Sequence, residues 1–192
     1  MTAAADTRRV PFPHATCTGA LPGSCADDVL RWMNSEAPWR LKVASFYEQW
    51  ELPIDDASLP GGLKYLLEHE LVDALLDRMV TPLTDARLDL VEVTAHRLVE
   101  GQTIRIHNDF LEGQETHRLL IQLNDGWTDE NGGMLMLFGS ASNRDLKRVV
   151  RPLHGSVFSF EISPASYHAV STIHVGERFT LVYSFKTREG CP

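Results

Sequence analysis

Two stretches of this chain place histidines and a carboxylate where they can bind one ion. Residues 103–109 read Thr-Ile-Arg-Ile-His-Asn-Asp, and the alternation of isoleucine with polar residues predicts a β-strand. Every second side chain of a strand lies on the same face, which places four polar residues together: Thr103, Arg105, His107 and Asp109. We therefore expect His107 and Asp109 to hold one ion jointly. His168 offers a third ligand, and Arg178 follows it by ten residues.

Two imidazoles and one carboxylate on one side of a metal suit a non-haem Fe(II) centre, because open positions remain for an oxo acid and dioxygen. Arg178 and Thr180 share one face of a predicted strand, 178–187, whose other face is apolar. An arginine in such a strand is unfavourable unless it meets an anion. The pair therefore indicates a carboxylate-binding site.

Other interpretations of these residues stay open. His107 with Asp109 fits an ion pair on an edge strand. His168 fits a buried histidine bonded to the backbone, and Arg178 fits a salt-bridged residue at a rim. A His-x-Asp pair arises by chance in a chain of this composition, so the prediction depends on the combination of all the residues.

The combination resembles the Fe(II)/2-oxoglutarate-dependent oxygenase superfamily, and specifically its prolyl 4-hydroxylase-like branch. The resemblance covers about residues 88–186 and includes the segments 118–127, 131–138 and 155–160 in the order of that branch. It implies a double-stranded β-helix, or jelly roll, with the metal in the mouth of the barrel.

The resemblance also implies a dioxygenase that uses Fe(II), 2-oxoglutarate and O2, with ascorbate as an accessory reductant, and that releases succinate and CO2. The implied metal ligands are His107, Asp109 and His168. Arg178 and Thr180 would pair with the distal carboxylate of 2-oxoglutarate. Hydroxylation is favoured over halogenation, because halogenating relatives carry a small residue in place of Asp109. Ring closure and desaturation are alternative outcomes.

This chain departs from the family at one position. Prolyl hydroxylases commonly carry a cosubstrate-binding tyrosine nine or ten residues before the first histidine, where this chain has Leu98 and Arg97. We expect either that Thr103 or Arg105 takes over its role or that the cosubstrate pocket is rearranged.

Three residues are candidates for substrate contact. Arg105 lies on the predicted ligand face, where it is either a substrate contact or a solvated rim residue. Asn124 and Trp127 follow a predicted strand, where they either line the mouth or cover a loop. Four other histidines match no motif position and are expected to be structural or exposed: His96, His117, His154 and His174.

The fold class predicted is mostly β with N-terminal helices (α+β), in a single domain of residues 1–192. Its parts are an irregular segment 1–23, a helical buttress 24–86 and a jelly-roll core 87–188. Strands are predicted at 88–98, 103–109, 116–124, 134–138, 147–152, 155–162, 166–172 and 178–187. In the first half, a capping box of Ser24 and Asp27 precedes a helix 26–36, a strand covers 45–52, and helices fill 63–80 up to Pro82.

The net charge limits the classes of binding partner that we expect. A net charge of -8 argues against nucleic acid or an anionic membrane as the main partner. No signal-peptide or transmembrane run is visible, so we expect a cytoplasmic protein. The three cysteines, Cys17, Cys25 and Cys191, have no metal-ligand spacing and are expected to be free thiols. The oligomeric state is not predictable from the sequence.

Three functions follow as hypotheses. The first is oxidation of a small molecule, such as an amino acid or a natural-product intermediate. The second keeps the chemistry and has a prolyl residue of a peptide or protein as its substrate. The third is a non-catalytic jelly-roll binding module, which predicts no iron uptake and no succinate release.

Overall fold

Two antiparallel sheets form the centre of the molecule. The computed structural model describes residues 4–19 and 21–188. In these ranges the strands are β1 (Asp6–Arg8), β2 (His14–Cys17), β3 (Arg40–Val43), β4 (Glu48–Pro53), β5 (Leu88–Leu98), β6 (Ile104–His107), β7 (His117–Gln122), β8 (Leu135–Phe138), β9 (Leu146–Val150), β10 (Val157–Glu161), β11 (His168–Val170) and β12 (Arg178–Thr187). The helices are α1 (Gly23–Ser35), α2 (His69–Leu75), a π-helical turn Leu76–Val80, and 3₁₀ segments Gly61–Leu67, Thr81–Leu83 and Asp129–Asn131. The predicted mostly β fold with a jelly-roll core is confirmed.

The two sheets are connected as a jelly roll requires. In the described ranges, the larger sheet has the order β1-β2-β10-β7-β12-β5-β4-β3, and the smaller has the order β6-β11-β8-β9. Strand β12 lies inside the larger sheet, antiparallel to β5 on one side and β7 on the other. One face of the larger sheet packs on the helices, and the other faces the smaller sheet across a cavity.

Strand β12 is buried on both faces, and its sequence alternates accordingly. Four apolar side chains pack into the core beneath the helices: Phe179, Leu181, Tyr183 and Phe185. The intervening side chains line the cavity: Arg178, Thr180, Val182 and Ser184. The prediction that Arg178 and Thr180 share a face opposite the aromatic residues is therefore confirmed.

The helices cover the outer face of the larger sheet. Helix α1 buries Val29, Trp32 and Met33 in that core. It begins at Gly23, and the Pro22 carbonyl accepts the backbone N–H groups of the first turn. The predicted capping box of Ser24 and Asp27 is wrong, because no side chain caps this helix. None of the described helices is long and apolar enough to cross a membrane.

The predicted helical buttress, residues 24–86, contains strands as well as helices. Strand β4 pairs with β5 and β3 pairs with β4, so this segment extends the larger sheet. The predicted helical run 63–80 is divided at Glu68, whose backbone is extended with φ -70° and ψ 140°. The strand predicted at 45–52 overlaps β4, whereas β3 was not predicted.

The N-terminal segment, predicted to be irregular, contains two short strands among its described residues, 4–19 and 21–23. Strand β2 pairs with β10 and β1 pairs with β2, which extends the larger sheet at its other edge. These strands have three and four residues, too few to show an alternation in the sequence. Residues 1–3 and 20, and also Cys191, lie outside the described residues. Cys17 and Cys25 are not joined in a disulfide.

Candidate active site

Three side chains from the smaller sheet converge at the mouth of the cavity. His107 ends β6 and lies directly opposite His168, the first residue of β11. Asp109 follows β6 with a left-handed backbone, φ 58°. Its Oδ1 is 3.3 Å from His107 Nε2, and its Oδ2 is 3.2 Å from His168 Nε2. One ligand atom from each residue lies within 4.8 Å of the others, so the predicted triad comes together.

The two imidazoles are oriented for metal binding. His107 Nδ1 is 2.9 Å from the Arg105 carbonyl, and His168 Nδ1 is 2.8 Å from the Ser166 carbonyl. Each carbonyl accepts a hydrogen bond from an Nδ1–H group, so each Nε2 keeps a free lone pair on the side of the ring next to Asp109. Burial lowers the pKa of His168, which favours the neutral form that binds metals. These residues fit Fe(II).

Arg118 holds the ligand carboxylate in place. Its Nη1 donates to Asp109 Oδ2 at 2.8 Å, and its Nη2 donates to Glu115 at 2.5 Å. Burial opposes ionisation of Asp109, but Arg118 and the two histidines hold the pKa of this carboxyl well below its usual range. Asp109 is therefore an anion at neutral pH, as metal binding requires.

Arg178 supplies a buried cation with spare donors. Its side chain is deep in the cavity wall, and the residue is only 3% exposed. Nη1 donates to Thr180 Oγ1 at 2.9 Å, whereas Nε and Nη2 have no hydrogen-bond partner among the described residues. Burial lowers the pKa of Arg178 to about 10, and a buried guanidinium with free donors requires an anion. A carboxylate of 2-oxoglutarate fits this position.

The cavity has a volume of about 310 Å³, and strands of both sheets line it. On the larger sheet, register places the lining residues in parallel rows. The inner row runs across β4, β5 and β12 and consists of Glu51, His96 and Thr180; its neighbour on β7, Gln122, lies outside the cavity lining. The outer row runs across β5, β12 and β7 and consists of Glu92, Ser184 and Arg118. Between them lies a row of Pro53, Thr94, Val182 and Leu120.

His96 is a cavity residue that the sequence interpretation missed, since it was expected to be structural or exposed. Burial lowers its pKa to about 4, so the ring is neutral. Its Nδ1 is 3.4 Å from Gln49 Nε2, and its Nε2 is 3.2 Å from Thr94 Oγ1. Gln49 and Arg118 were missed as well. The available signal for His96 was the alternation, in β5, of polar residues at 92, 94 and 96 with buried residues at 93 and 95.

The ligand-face prediction fails for Arg105. The pairing of β6 with β11 shifts register. His107 pairs with His168 and Ile104 pairs with Val170, so three residue steps along β6 match two steps along β11. This bulge reverses the alternation, so Ile104 and not Arg105 lines the cavity. Arg105 is exposed and donates to the Ser45 carbonyl outside the cavity.

The other two candidates for substrate contact have structural bonds. Asn124 is 3% exposed, donates to the Pro152 carbonyl and accepts the backbone N–H of Phe179. Trp127 Nε1 donates to the Gly132 carbonyl, and its ring packs on the core between the sheets. Neither lines the cavity around the triad.

The two predicted replacements for the missing tyrosine also lie elsewhere. The Thr103 hydroxyl donates to the Val170 carbonyl at 2.8 Å, and Arg105 is outside the cavity. Tyr47, just before β4, lines the cavity instead, with its hydroxyl 3.0 Å from Glu51 Oε1. The neighbouring Phe46 stacks on His107, with 4.4 Å between ring centroids.

The sequence of this chain is similar to that of known oxygenases. A family model described as "2OG-Fe(II) oxygenase superfamily" matches residues 93–186. Prolyl 3-hydroxylase OGFOD1 of Xenopus laevis is 30% identical over 174 residues, which are 85% of this chain and 32% of the relative. Prolyl 3-hydroxylase sudestada1 of Drosophila melanogaster is 23% identical over 176 residues, again 85% of this chain and 32% of the relative. The chain therefore spans about a third of the length of the curated relatives it matches.

Solved structures share the fold. A Pseudomonas putida prolyl-4-hydroxylase superposes with a TM-score of 0.71 at 19% identity, covering 91% of this chain and 92% of that one. HygX of Streptomyces hygroscopicus, solved with nickel and 2-oxoglutarate bound, gives a TM-score of 0.65 at 15% identity and covers 91% and 82%. At these identities the likeness concerns the fold alone.

Proposed function

We propose, because this chain belongs to the 2OG-Fe(II) oxygenase superfamily, that it oxidises a C–H bond of its substrate while converting 2-oxoglutarate and O2 into succinate and CO2. The observation that carries the proposal is the position of a buried, partly unsatisfied Arg178 in the cavity that the triad of His107, Asp109 and His168 borders. Ligands for iron and a partner for a diacid are thus present together.

Each residue has a defined part in this reaction. His107, Asp109 and His168 would hold Fe(II), which supplies the activation of dioxygen when it is bound. Arg178 and Thr180 would bind the distal carboxylate of 2-oxoglutarate. The apolar middle of the cavity wall excludes water, which limits side reactions of the activated oxidant.

We infer that the oxidised bond belongs to a prolyl residue of a peptide or protein. The names of the curated relatives support this substrate. The surface supports it too, because a second depression of about 430 Å³ adjoins the triad. His107, Asp109 and Arg118 border both spaces, and the exposed side chains of Phe110 and Leu111 line the second one. A chain longer than one residue can therefore lie across the mouth.

A free amino acid or another small molecule is the second candidate. The cavity of about 310 Å³ is at the lower end of the size range of small-molecule sites, which favours a compact substrate. A panel of prolyl peptides and free amino acids, assayed for succinate release with Fe(II) and 2-oxoglutarate, separates the two candidates. Succinate release that is stimulated only by free amino acids would exclude the prolyl peptide.

The reaction class is tested by binding. Wild-type protein, mixed anaerobically with Fe(II) and 2-oxoglutarate, should develop a weak visible charge-transfer band. His107→Ala should abolish the band, because one ligand is lost. His174→Ala, which changes an exposed histidine outside the cavity, should leave the band intact. A band of equal intensity in wild type and His107→Ala would show that the ligand assignment is wrong.

A further inference from the structure

The outer row of the cavity, formed by Glu92, Ser184 and Arg118, carries unsatisfied polar groups beside the metal ligands. Ser184 is 1% exposed, and its hydroxyl has no hydrogen-bond partner in the described part of the chain. Strand alternation directs it into the cavity together with Val182. The Nε of Arg118 is likewise without a partner among residues 4–19 and 21–188. The row is therefore incomplete without a ligand.

Around this row, carboxylates outnumber the cations that could pair with them. The two terminal nitrogens of Arg118 are occupied by Asp109 and Glu115. The other nearby cation, Lys42, is paired with Glu51 at 2.9 Å. Glu92 has no salt-bridge partner within the described ranges.

Glu92 also faces a second carboxylate. Partial burial of the carboxyl group and the neighbouring Glu115 raise the pKa of Glu92, although the positive charges of Arg118 and Lys42 oppose this shift. Two carboxylates at close range favour a cation between or beside them. The cosubstrate does not meet this need, because 2-oxoglutarate is itself an anion and its partner Arg178 is on the far side of the inner row.

The position of Glu92 indicates that this cation belongs to the substrate. Glu92 is exposed at the open end of the cavity, and the outer row continues through Ser184 to Arg118, which contacts a metal ligand. A substrate held at the metal therefore lies beside this row, because Arg118 donates to the metal ligand Asp109. Accepting oxygens from a carboxylate and a hydroxyl suit a nitrogen that carries both positive charge and N–H donors.

We propose that the outer row binds a protonated amine or guanidinium group of the substrate, with Glu92 as its ionic partner and Ser184 as a hydrogen-bond acceptor. This inference rests on the proposed oxygenase function and names the chemical class of the substrate. The remaining N–H of Arg118 requires an acceptor, and a carbonyl of an amino-acid derivative or peptide provides one. A cationic residue in or beside the reacting unit therefore matches the row.

The test uses two probes that differ in charge and hardly in shape. Protein reconstituted anaerobically with Fe(II) and 2-oxoglutarate is titrated with Nα-acetyl-L-arginine methylamide and with Nα-acetyl-L-citrulline methylamide, and binding is followed by ligand-observed NMR. Wild type should bind the arginine probe about tenfold more tightly, the usual size for a hydrogen bond to a charged group. Glu92→Gln should bind both probes alike, and Ser184→Ala should reduce the preference by a smaller factor.

A matched control and an independent readout make the result decisive. Glu100→Gln removes an exposed carboxylate outside the cavity and should keep the wild-type preference. Equal binding of both probes by wild type, which requires no variant, would overturn the proposal, as would a preference that survives in Glu92→Gln. If the visible 2-oxoglutarate band forms while the preference is absent, only this inference fails. If the band never forms, the proposed function fails.

Discussion

Replacing Arg178 by methionine should stabilise the protein while abolishing its response to 2-oxoglutarate. The guanidinium is buried, and two of its nitrogens lack partners in the described structure. Methionine fills similar space without charge. The Arg178→Met variant should therefore separate the cost of burying this cation from its use in binding.

The size of the effect follows from the pKa. Burial lowers the pKa of Arg178 from its ordinary value to about 10, and a tenfold change in the ionisation equilibrium corresponds to about 1.4 kcal/mol against the charged form. The charge thus costs roughly 3 kcal/mol in the absence of an anion. The variant also loses the hydrogen bond to Thr180, which lowers its stability by about 1 kcal/mol. The net gain of about 2 kcal/mol corresponds to a rise in Tm of roughly 4 to 8 °C for a chain of this size.

The assay compares thermal unfolding with and without 2-oxoglutarate, with Fe(II) present under anaerobic conditions in every sample. In wild type, 2-oxoglutarate at a hundred times its Kd should add about 2.7 kcal/mol of stability. In Arg178→Met it should add nothing. Arg144→Met, which changes an exposed arginine, should match wild type in both conditions.

The two proteins should therefore exchange rank: the variant is the more stable one without 2-oxoglutarate and loses its lead when the cosubstrate is added. If the variant unfolds below wild type without 2-oxoglutarate, Arg178 is not an uncompensated buried charge. If the cosubstrate stabilises both proteins equally, Arg178 is not its anchor.

Three further outcomes are expected. Arg118→Met should weaken metal binding about tenfold in a Co(II) titration, because Asp109 loses the partner that orients it; unchanged affinity would show that Asp109 is held without it. His117 is 3% exposed, and burial lowers its pKa to about 4, so the unfolded chain takes up the proton first and stability falls as pH decreases from about 6.5 toward 4. Urea unfolding of His117→Gln should therefore lose about 2 kcal/mol less than wild type between pH 7 and pH 5, whereas identical losses would mean that His117 is protonated in the folded state. Leu181→Ala, at a fully buried position in the core beneath the helices, should cost about 2 to 5 kcal/mol in the same measurement, and a smaller loss would show that the core closes over the gap.

Long central strands could be predicted from the sequence, because their patterns are set by burial. Strands β5 and β12 have the predicted boundaries, 88–98 and 178–187. Both lie inside the larger sheet, where neighbours on each side fix the alternation. The short strand β2 escaped prediction, since its pairing with β10 is a long-range contact that four residues do not encode.

Residues of the site could be predicted where they belong to a sequence motif. Residues that reach the site only through the folded geometry could not. His107, Asp109 and His168 meet as expected. Arg105 was misplaced, because a bulge in β6 reverses its face and leaves no trace in the alternating sequence. Arg118 belongs to the site through contacts with residues distant on other strands, which no spacing rule describes.

The segment that carries the proposed iron and cosubstrate ligands, residues 93–186, is flanked in space by strands from the first 53 residues. Strand β2 covers the free side of β10, and β4 covers the free side of β5. Cutting the chain before residue 93 would shorten β5 and uncover the free sides of both β10 and the rest of β5, and unpaired strand backbone promotes association with other chains. A minimal version of this protein must therefore retain its beginning, although none of the proposed iron and cosubstrate ligands is found there.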